Sequence, residues 1–229
     1  GDGVRVNGTV GAGAKSDLLM GSGKISGSGV GLHIGGGFGG LTTGAVDIIN
    51  NNTNVLIDNA LAAEANRELF FGSLTLIDTA NTGCGVDINE TGTASEWIDF
   101  TGGWIAASAL SNVCVRSTYT GIVKFTGGTN FNSSADGINN ASASARVIVS
   151  GTHIRNNAGY GINNSGASPN AVASNVTYVS NGSGETTGMV SSATVKTSGT
   201  INAPCFTSNN ASCADFGKCS PTSNEITLP

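Results

Sequence analysis

The sequence predicts an all-β fold in which the chain winds into a single-stranded parallel β-helix, a solenoid with about 24 residues per coil. The first observation is a near-repeat: Phe125–Asn140 lines up with Val149–Asn164 at an offset of 24 residues, and Phe100–Gly103 precedes Phe125–Gly128 by 25. Repeats of this length bury their apolar side only by stacking on their neighbours. We therefore expect the functional groups on the outside of a rod.

Composition distinguishes a β-solenoid from a helical one. Glycine accounts for 35 of the 229 residues, and charged residues for only 11%. Short alternating runs such as Ile122–Phe125 and Val147–Val149 are bounded by Gly and Asn, whereas a helical repeat would space Ala, Leu, Glu and Lys at intervals of about 3.6 residues. Each coil is expected to hold three short strands and their turns, stacked at about 4.8 Å.

The repeat pattern places seven coils along the chain, at Leu18–Ile34, Ala45–Asp58, Leu69–Val86, Trp97–Val113, Ile122–Ile138, Val147–Ile162 and Val172–Met189. Asn59–Leu69 has a helix-rich composition and is predicted as an insertion between coils, either a short helix or an extended loop. The glycine-rich stretch Gly21–Gly40 is predicted as an ordered coil, because Leu32 and Ile34 alternate with His33.

Charge and hydropathy exclude two classes of partner. The net charge is −5 and the isoelectric point is near 4.8, so we expect no nucleic-acid binding. No apolar run is long enough for a membrane span, and no signal sequence opens the chain, so no membrane insertion is expected. The chain begins with Gly1, which suggests a processed mature form or a fragment of a longer protein.

The five cysteines suggest disulfides. Cys84 and Cys114 occupy the same part of successive coils, so we predict a disulfide between those coils. Cys205, Cys213 and Cys219 lie in the C-terminal segment, where two of them are predicted to pair; free buried thiols are the alternative, and the spacing does not fit a metal site. Residues 1–190 are assigned to the β-helix and residues 191–229 to a cysteine-containing C-terminal cap.

Alternation along the central strands separates inward from outward side chains. The inward stacks are predicted to contain Ile98, Phe100, Val123, Phe125, Val147 and Val149. The outward positions then form a strip of Trp97, Asp99, Ile122, Lys124, Arg146 and Ile148. Large apolar groups on a solvent face indicate a subunit interface or a glycan platform, although a loop folded over them is an alternative. Asp99 and Lys124 are expected to form a surface ion pair.

Two turn positions carry further predictions. Asn139-Asn140 above Asn163-Asn164 suggests a ladder of stacked asparagine amides. Tyr160 is expected beside Asp136 on the same turn, where an aromatic ring next to a carboxylate suits either a structural role or sugar binding. Both histidines, His33 and His153, are expected at turns or on the surface.

No catalytic residue can be assigned from the sequence. Hydrolysis of a polysaccharide requires two carboxyl groups about 5 to 9.5 Å apart. Asp58 and Asp78 recur in similar phrases, and if stacked they could form such a pair or a calcium site. Neither alternative matches a recognisable motif, so no metal and no cofactor are predicted.

The opening Gly1–Val4 and the phrase Arg146–Ile162 resemble the pectate-lyase-like right-handed β-helix coils of bacteriophage tailspikes and tail fibres. The resemblance covers roughly residues 1–190 and implies a right-handed helix. It also implies a homotrimer on a virion or in the extracellular space that binds cell-surface polysaccharide. No catalytic phrase of that family matches, so cleavage stays open. A bacterial extracellular adhesin or filament subunit and a secreted polysaccharide lyase or hydrolase are the alternatives.

Overall fold

The computed structural model describes residues 1–6, 17–37, 39–59, 68–91, 97–166, 171–188, 190–192, 194–197 and 225–227. This part of the chain contains strands and turns and no helix. The strands are β1 (Asp2–Val6), β2 (Asp17–Ser26), β3 (Val30–Ile34), β4 (Gly40–Asn51), β5 (Thr53–Ile57), β6 (Glu68–Phe71), β7 (Leu76–Ala80), β8 (Val86–Ile88), β9 (Trp97–Thr101), β10 (Trp104–Ala106), β11 (Val113–Val115), β12 (Ile122–Thr126), β13 (Thr129–Phe131), β14 (Ile138–Asn140), β15 (Arg146–Ser150), β16 (His153–Arg155), β17 (Tyr160–Asn164), β18 (Ala171–Ser174), β19 (Val176–Val179), β20 (Gly184–Thr187), β21 (Val190–Ser192), β22 (Thr194–Thr197) and β23 (Glu225–Thr227).

The strands wind around one core as the predicted parallel β-helix, and they form two sheets. Sheet A has eight parallel strands in the order β1-β3-β5-β8-β11-β14-β17-β20 within the described residues. At about 4.8 Å per strand, this stack is about 34 Å long. Successive partners such as Val113 and Ile138, or Ile138 and Ile162, are 25 and 24 residues apart. The predicted coil period is therefore confirmed.

Sheet B has two faces because most coils bend between two of its strands. Face B1 consists of β6, β9, β12, β15, β18 and β21, and face B2 of β7, β10, β13, β16, β19 and β22. In the second coil, β4 runs through both faces: Gly40–Thr43 pairs with β6, and the part from Asp47 to Asn51 pairs with β7. All seven predicted coils have their counterparts in this arrangement, and β1 adds a strand before the first one.

The core is built from vertical stacks of like side chains. All six residues predicted to point inward on face B1 are buried. Phe71, Phe100 and Phe125 stack with ring centroids 4.5 and 5.1 Å apart and almost parallel planes. Parallel strands in register place each ring directly over the next, so the repeat period alone sets this ladder.

The corner between face B2 and sheet A has the same backbone conformation in coil after coil. Asn50, Thr79, Ala107, Asn132, Asn156 and Ser180 all have φ between 52° and 57°. The left-handed region disfavours residues other than glycine, so the surrounding structure must hold each one there. Asparagine tolerates this region best, which explains why it occurs at three of these corners.

A buried polar seam lies inside this corner. Asn112 Nδ2 donates to Asn157 Oδ1 (3.3 Å), Asn157 Nδ2 to Asn181 Oδ1 (2.9 Å), and Asn181 Nδ2 to Glu185 Oε2 (2.6 Å). Two glycines of sheet A lie opposite these amides. A Cβ at Gly137 would lie 2.9 Å from Asn157 Nδ2, and a Cβ at Gly161 would lie 3.1 Å from Asn181 Nδ2. The amides thus fill the space that the glycines leave.

The predicted asparagine ladder is a second, shorter stack. Asn140 Nδ2 donates to Asn164 Oδ1 at 2.8 Å, and both residues are buried. Asn139 pairs in register with Asn163 one position earlier, on the outer side of sheet A. The sequence therefore predicted this ladder but not the longer seam at the other corner.

Three further segments were singled out in the sequence: the predicted insertion, the glycine-rich stretch and the C-terminal segment. The predicted insertion at Asn59–Leu69 lies mostly outside the described residues, and its last two residues, Glu68 and Leu69, begin strand β6. The glycine-rich stretch forms β2 and β3, as expected. Strands β21 and β22 continue sheet B, and β23 pairs antiparallel with β22. No membrane-spanning helix occurs in the portion of the chain described.

Replacing Phe100 by Ala should lower the free energy of unfolding by about 3–5 kcal/mol, because it removes the middle ring of a buried stack and leaves a cavity. Phe70→Ala is the matched control, since Phe70 points outward from the neighbouring strand and is 39% exposed. It should cost about 1 kcal/mol or less. Chemical denaturation measures both, and equal losses would contradict the inward register.

Candidate functional site

The predicted outward strip lies on face B1 in two adjacent columns. Lys124 pairs in register with Asp99 on one side and Ile148 on the other, and Ile122 pairs with Arg146. Trp97 precedes Ile98, the partner of Val123, so it lies beside Ile122. Arg146 is exposed, and the other five side chains are partly exposed. The register thus places all six strip residues side by side on the outer surface.

Two strip residues interact with each other as predicted. Lys124 Nζ lies 3.5 Å from Asp99 Oδ2 and also 5.7 Å from the ring centroid of Trp97. Such a surface pair contributes at most about 1 kcal/mol. The apolar surface continues past Asp99 to Phe70, which is its register partner on β6 and one of the more exposed apolar residues.

Tyr160 does not join this strip, because it begins β17 in sheet A. Its backbone N–H donates to Asp136 Oδ1 at 2.8 Å, and Asn163 Nδ2 donates to Asp136 Oδ2 at 2.9 Å. Both oxygens of this largely buried carboxylate therefore fix the turn. The arrangement favours the structural alternative for Asp136.

Face B2 carries an aromatic platform that sequence reasoning missed. Trp104 is 39% exposed, and its ring meets that of Phe131 edge to face at a centroid distance of 6.0 Å. The guanidinium of Arg155 lies 5.1 Å from the Phe131 centroid, one coil further along. We name Trp104, Phe131 and Arg155 the B2 platform. Trp104 directly follows the glycine pair Gly102-Gly103, which forms a corner between two strands. This position after a corner was the sequence signal that could have indicated the platform.

The surroundings of the B2 platform are polar and sparsely charged. In register with Trp104 stand Thr129, then His153 and then Thr177, all at the surface. The nearest carboxylate in the Phe131 column belongs to Asp78, two coils before Phe131. The face therefore combines one exposed and one partly exposed ring with hydroxyl and imidazole groups.

A disulfide joins neighbouring coils on the outer side of sheet A. Cys84 and Cys114 are bonded, with Cα atoms 6.1 Å apart, and both are buried. Arg116 covers them: it makes two 2.7 Å bonds to the Asp87 carboxylate, and its Nη2 lies 3.7 Å from Cys84 Sγ. The hydrogen bonds to Asp87 raise the pKa of Arg116. Cys205, Cys213 and Cys219 lie outside the described residues.

Asp58 and Asp78 do not stack, so the condition for a carboxylate pair or a calcium site is not met. Asp58 follows a strand of sheet A, whereas Asp78 belongs to β7 on face B2, because the two similar phrases fall in different parts of their coils. Asp78 accepts a hydrogen bond from Thr79. These two residues therefore form neither a catalytic pair nor a shared ion site.

Asp58 instead contacts His33, whose predicted surface position is also wrong. His33 is buried, with Nδ1 2.9 Å from Asp2 Oδ2 and Nε2 3.0 Å from Asp58 Oδ1. Burial acts to raise the pKa of Asp2, but hydrogen bonds from His33 and Arg5 outweigh it and hold that pKa below its usual range. His153 is exposed on β16, as expected.

The described residues contain no cluster of three or more potential metal ligands. Comparisons of the chain with family models, with curated proteins and with solved structures found no match. Conclusions about function therefore depend on the outer faces of the solenoid and on their chemistry.

Replacing Cys84 and Cys114 together by Ser should lower the free energy of unfolding by about 2–4 kcal/mol, because the bond closes a loop of 30 residues in the unfolded chain. Denaturation with and without a reductant measures the effect. The reductant should destabilise the parent by a similar amount and leave the double variant unchanged. A double variant as stable as the parent would rule out a stabilising bond.

Proposed function

We propose that the chain is a receptor-binding β-solenoid that engages a cell-surface polysaccharide, as the tailspikes and tail fibres of bacteriophages do. The observation that carries the proposal is the aromatic pair on face B2, in which Trp104 is exposed and Phe131 partly exposed. The fold itself is equally compatible with tailspikes, adhesins and polysaccharide-active proteins. The choice among them therefore depends on surface chemistry.

Aromatic rings and hydroxyl groups complement the two surfaces of a sugar. The apolar C–H face of a pyranose packs on an aromatic ring, while its hydroxyls exchange hydrogen bonds with polar side chains at the edge. Trp104 and Phe131 offer such rings on adjacent coils, and Thr129 and His153 line them. Since the platform stands on stacked strands, binding requires little ordering of the protein.

The disulfide supports a location outside the cell, on a virion or in the extracellular space. Disulfides persist in oxidising compartments and are rare in the cytosol. The Cys84–Cys114 bond is buried beneath Arg116, so we assign it a structural role. An extracellular location is compatible with all three classes considered, so the disulfide does not decide among them.

Self-association through face B1 is the second part of the proposal. Trp97, Ile122 and Ile148 expose apolar surface in adjacent coils, and Phe70 extends it. Arg146, exposed at its edge, and the Asp99–Lys124 pair supply polar groups of the kind found around an interface core. We propose a homotrimer in which this strip is covered by neighbouring subunits, while face B2 stays open to the polysaccharide.

A filament subunit is the main alternative, and one observation favours it. Within the described residues, β2 pairs only with β4, so its ten-residue outer edge is available to a strand of another chain. At the opposite end, the antiparallel strand β23 covers β22. Because β23 interrupts the parallel stacking there, head-to-tail growth is less well supported than a closed oligomer.

Polysaccharide binding is tested with the double variant Trp104→Ala/Phe131→Ala on an array of purified bacterial surface polysaccharides. The parent should bind a subset of the array, and the variant should lose at least about tenfold in affinity, because two ring contacts disappear. Leu110→Ala, which removes an exposed apolar side chain between β10 and β11, outside both faces, is the matched control and should bind like the parent. Product analysis on the same samples detects any cleavage.

The proposal fails if the parent binds no polysaccharide of the array. It also fails if the double variant binds as tightly as the parent. Circular dichroism of both proteins establishes that the variant has kept its β-structure, so that a loss of binding reports on the platform.

Ile122→Asp should weaken the oligomer while leaving the solenoid folded, because the new carboxylate lies on the outer surface and touches no inward stack. Sedimentation velocity measures the change. Thr177→Asp, which adds the same charge on face B2, is the control and should leave the oligomer intact. A monomeric parent, or an Ile122→Asp oligomer as stable as the parent, would exclude this interface.

A further inference from the structure

The B2 platform includes one exposed cation, Arg155. The chain as a whole has a net charge of −5. Arg5 pairs with Asp2, Arg116 with Asp87 and Lys124 with Asp99. Within the described part of the chain, Arg155 is exposed and makes no ion pair, as is also true of Lys24 and Arg146. Of these three cations, Arg155 is the one that lies against the Trp104–Phe131 pair.

Packing nevertheless holds Arg155 in place. Its guanidinium lies over the Phe131 ring, and that contact orients the flat cation without using its N–H groups. Among the described residues the guanidinium donors therefore have no protein partner, and they lie at the end of the platform far from Asp78. His153, two residues earlier on the same strand, is exposed on the same face.

The carboxylates that the described residues place on face B2 are too distant to neutralise Arg155. Asp78, Ala106, Phe131 and Arg155 follow one another in register. Three strand spacings separate Asp78 from Arg155, about 14 Å. That distance exceeds the Debye length of about 8 Å at physiological ionic strength. Near the platform, Asp136 is largely buried and accepts two hydrogen bonds.

We propose that the polysaccharide bound at face B2 is acidic, with a carboxylate, sulfate or phosphate group on the sugar next to Arg155. The neutral sugars of the polysaccharide lie on Trp104 and Phe131, along the solenoid axis. The anionic group accepts paired hydrogen bonds from the Arg155 guanidinium, whose planar fork matches such oxygens. This inference rests on the proposed function and specifies the chemistry of its ligand.

The test compares neutral and acidic polysaccharides on the array, together with carboxyl-reduced forms of the uronate-containing ones. The parent should bind acidic polysaccharides, and carboxyl reduction should abolish binding where the acid is a carboxylate but not where it is a sulfate or phosphate. Arg155→Gln should weaken acidic binding about tenfold. Raising the salt concentration should weaken parent binding more than binding by Arg155→Gln.

Lys24→Gln is the matched control, because it removes the same charge from the same face. The strand register runs from Lys24 through Asp47, Leu76, Trp104 and Thr129 to His153. Five strand spacings therefore separate Lys24 from His153, about 24 Å. The Lys24→Gln variant should bind like the parent. Equal loss in both variants would assign the effect to overall charge and overturn the inference.

The remaining outcomes separate the inference from the proposed function. If the parent prefers neutral polysaccharides, or if Arg155→Gln binds acidic ones as tightly as the parent, the anionic group is excluded. The proposed function survives that result as long as Trp104→Ala/Phe131→Ala still loses binding. If no polysaccharide binds, both proposals are overturned.

Discussion

The solenoid depends on keeping one coil directly above the next, and the corner between face B2 and sheet A carries this constraint. A left-handed residue turns the chain there in coil after coil. The amides of Asn157 and Asn181 bond across successive coils, and that of Asn112 reaches Asn157 two coils away. An unpaired buried amide is costly, so a shift of one coil against the next would break several of these bonds at once. The corner thus resists changes in register that apolar stacking alone would tolerate.

Both outer faces inherit their geometry from that register. The spacing that stacks Phe71, Phe100 and Phe125 inside also aligns Asp99 with Lys124 outside. It places Phe131 next to Arg155 on the neighbouring face. Because β4 runs through both faces as one strand, the two surfaces belong to one hydrogen-bonded sheet. A subunit interface and a glycan platform can therefore coexist on a single rigid support.

The sequence was most informative where the repeat was most regular. Phe100 and Phe125 recur in the same phrase, so a period of 25 predicts both their stacking and the outward position of Trp97. Where coils differ in length, similar short sequences do not occupy equivalent positions. Asp58 and Asp78 follow nearly identical sequences but lie in different sheets. His33 escaped recognition because its carboxylate partners, Asp2 and Asp58, are 31 and 25 residues away. The B2 platform was missed for a similar reason, since Trp104 and Phe131 occupy different columns.

The disulfide also affects what happens when a protease cuts the chain. The chain between Cys84 and Cys114 includes β9, β10 and Trp104. A cut at any single peptide bond in this interval leaves the two parts of the protein covalently joined, and the flanking strands remain hydrogen-bonded to their neighbours. A nicked molecule would thus keep Trp104 attached to the rod. Backbone cleavage in this loop and separation of the two parts of the protein are therefore separate events.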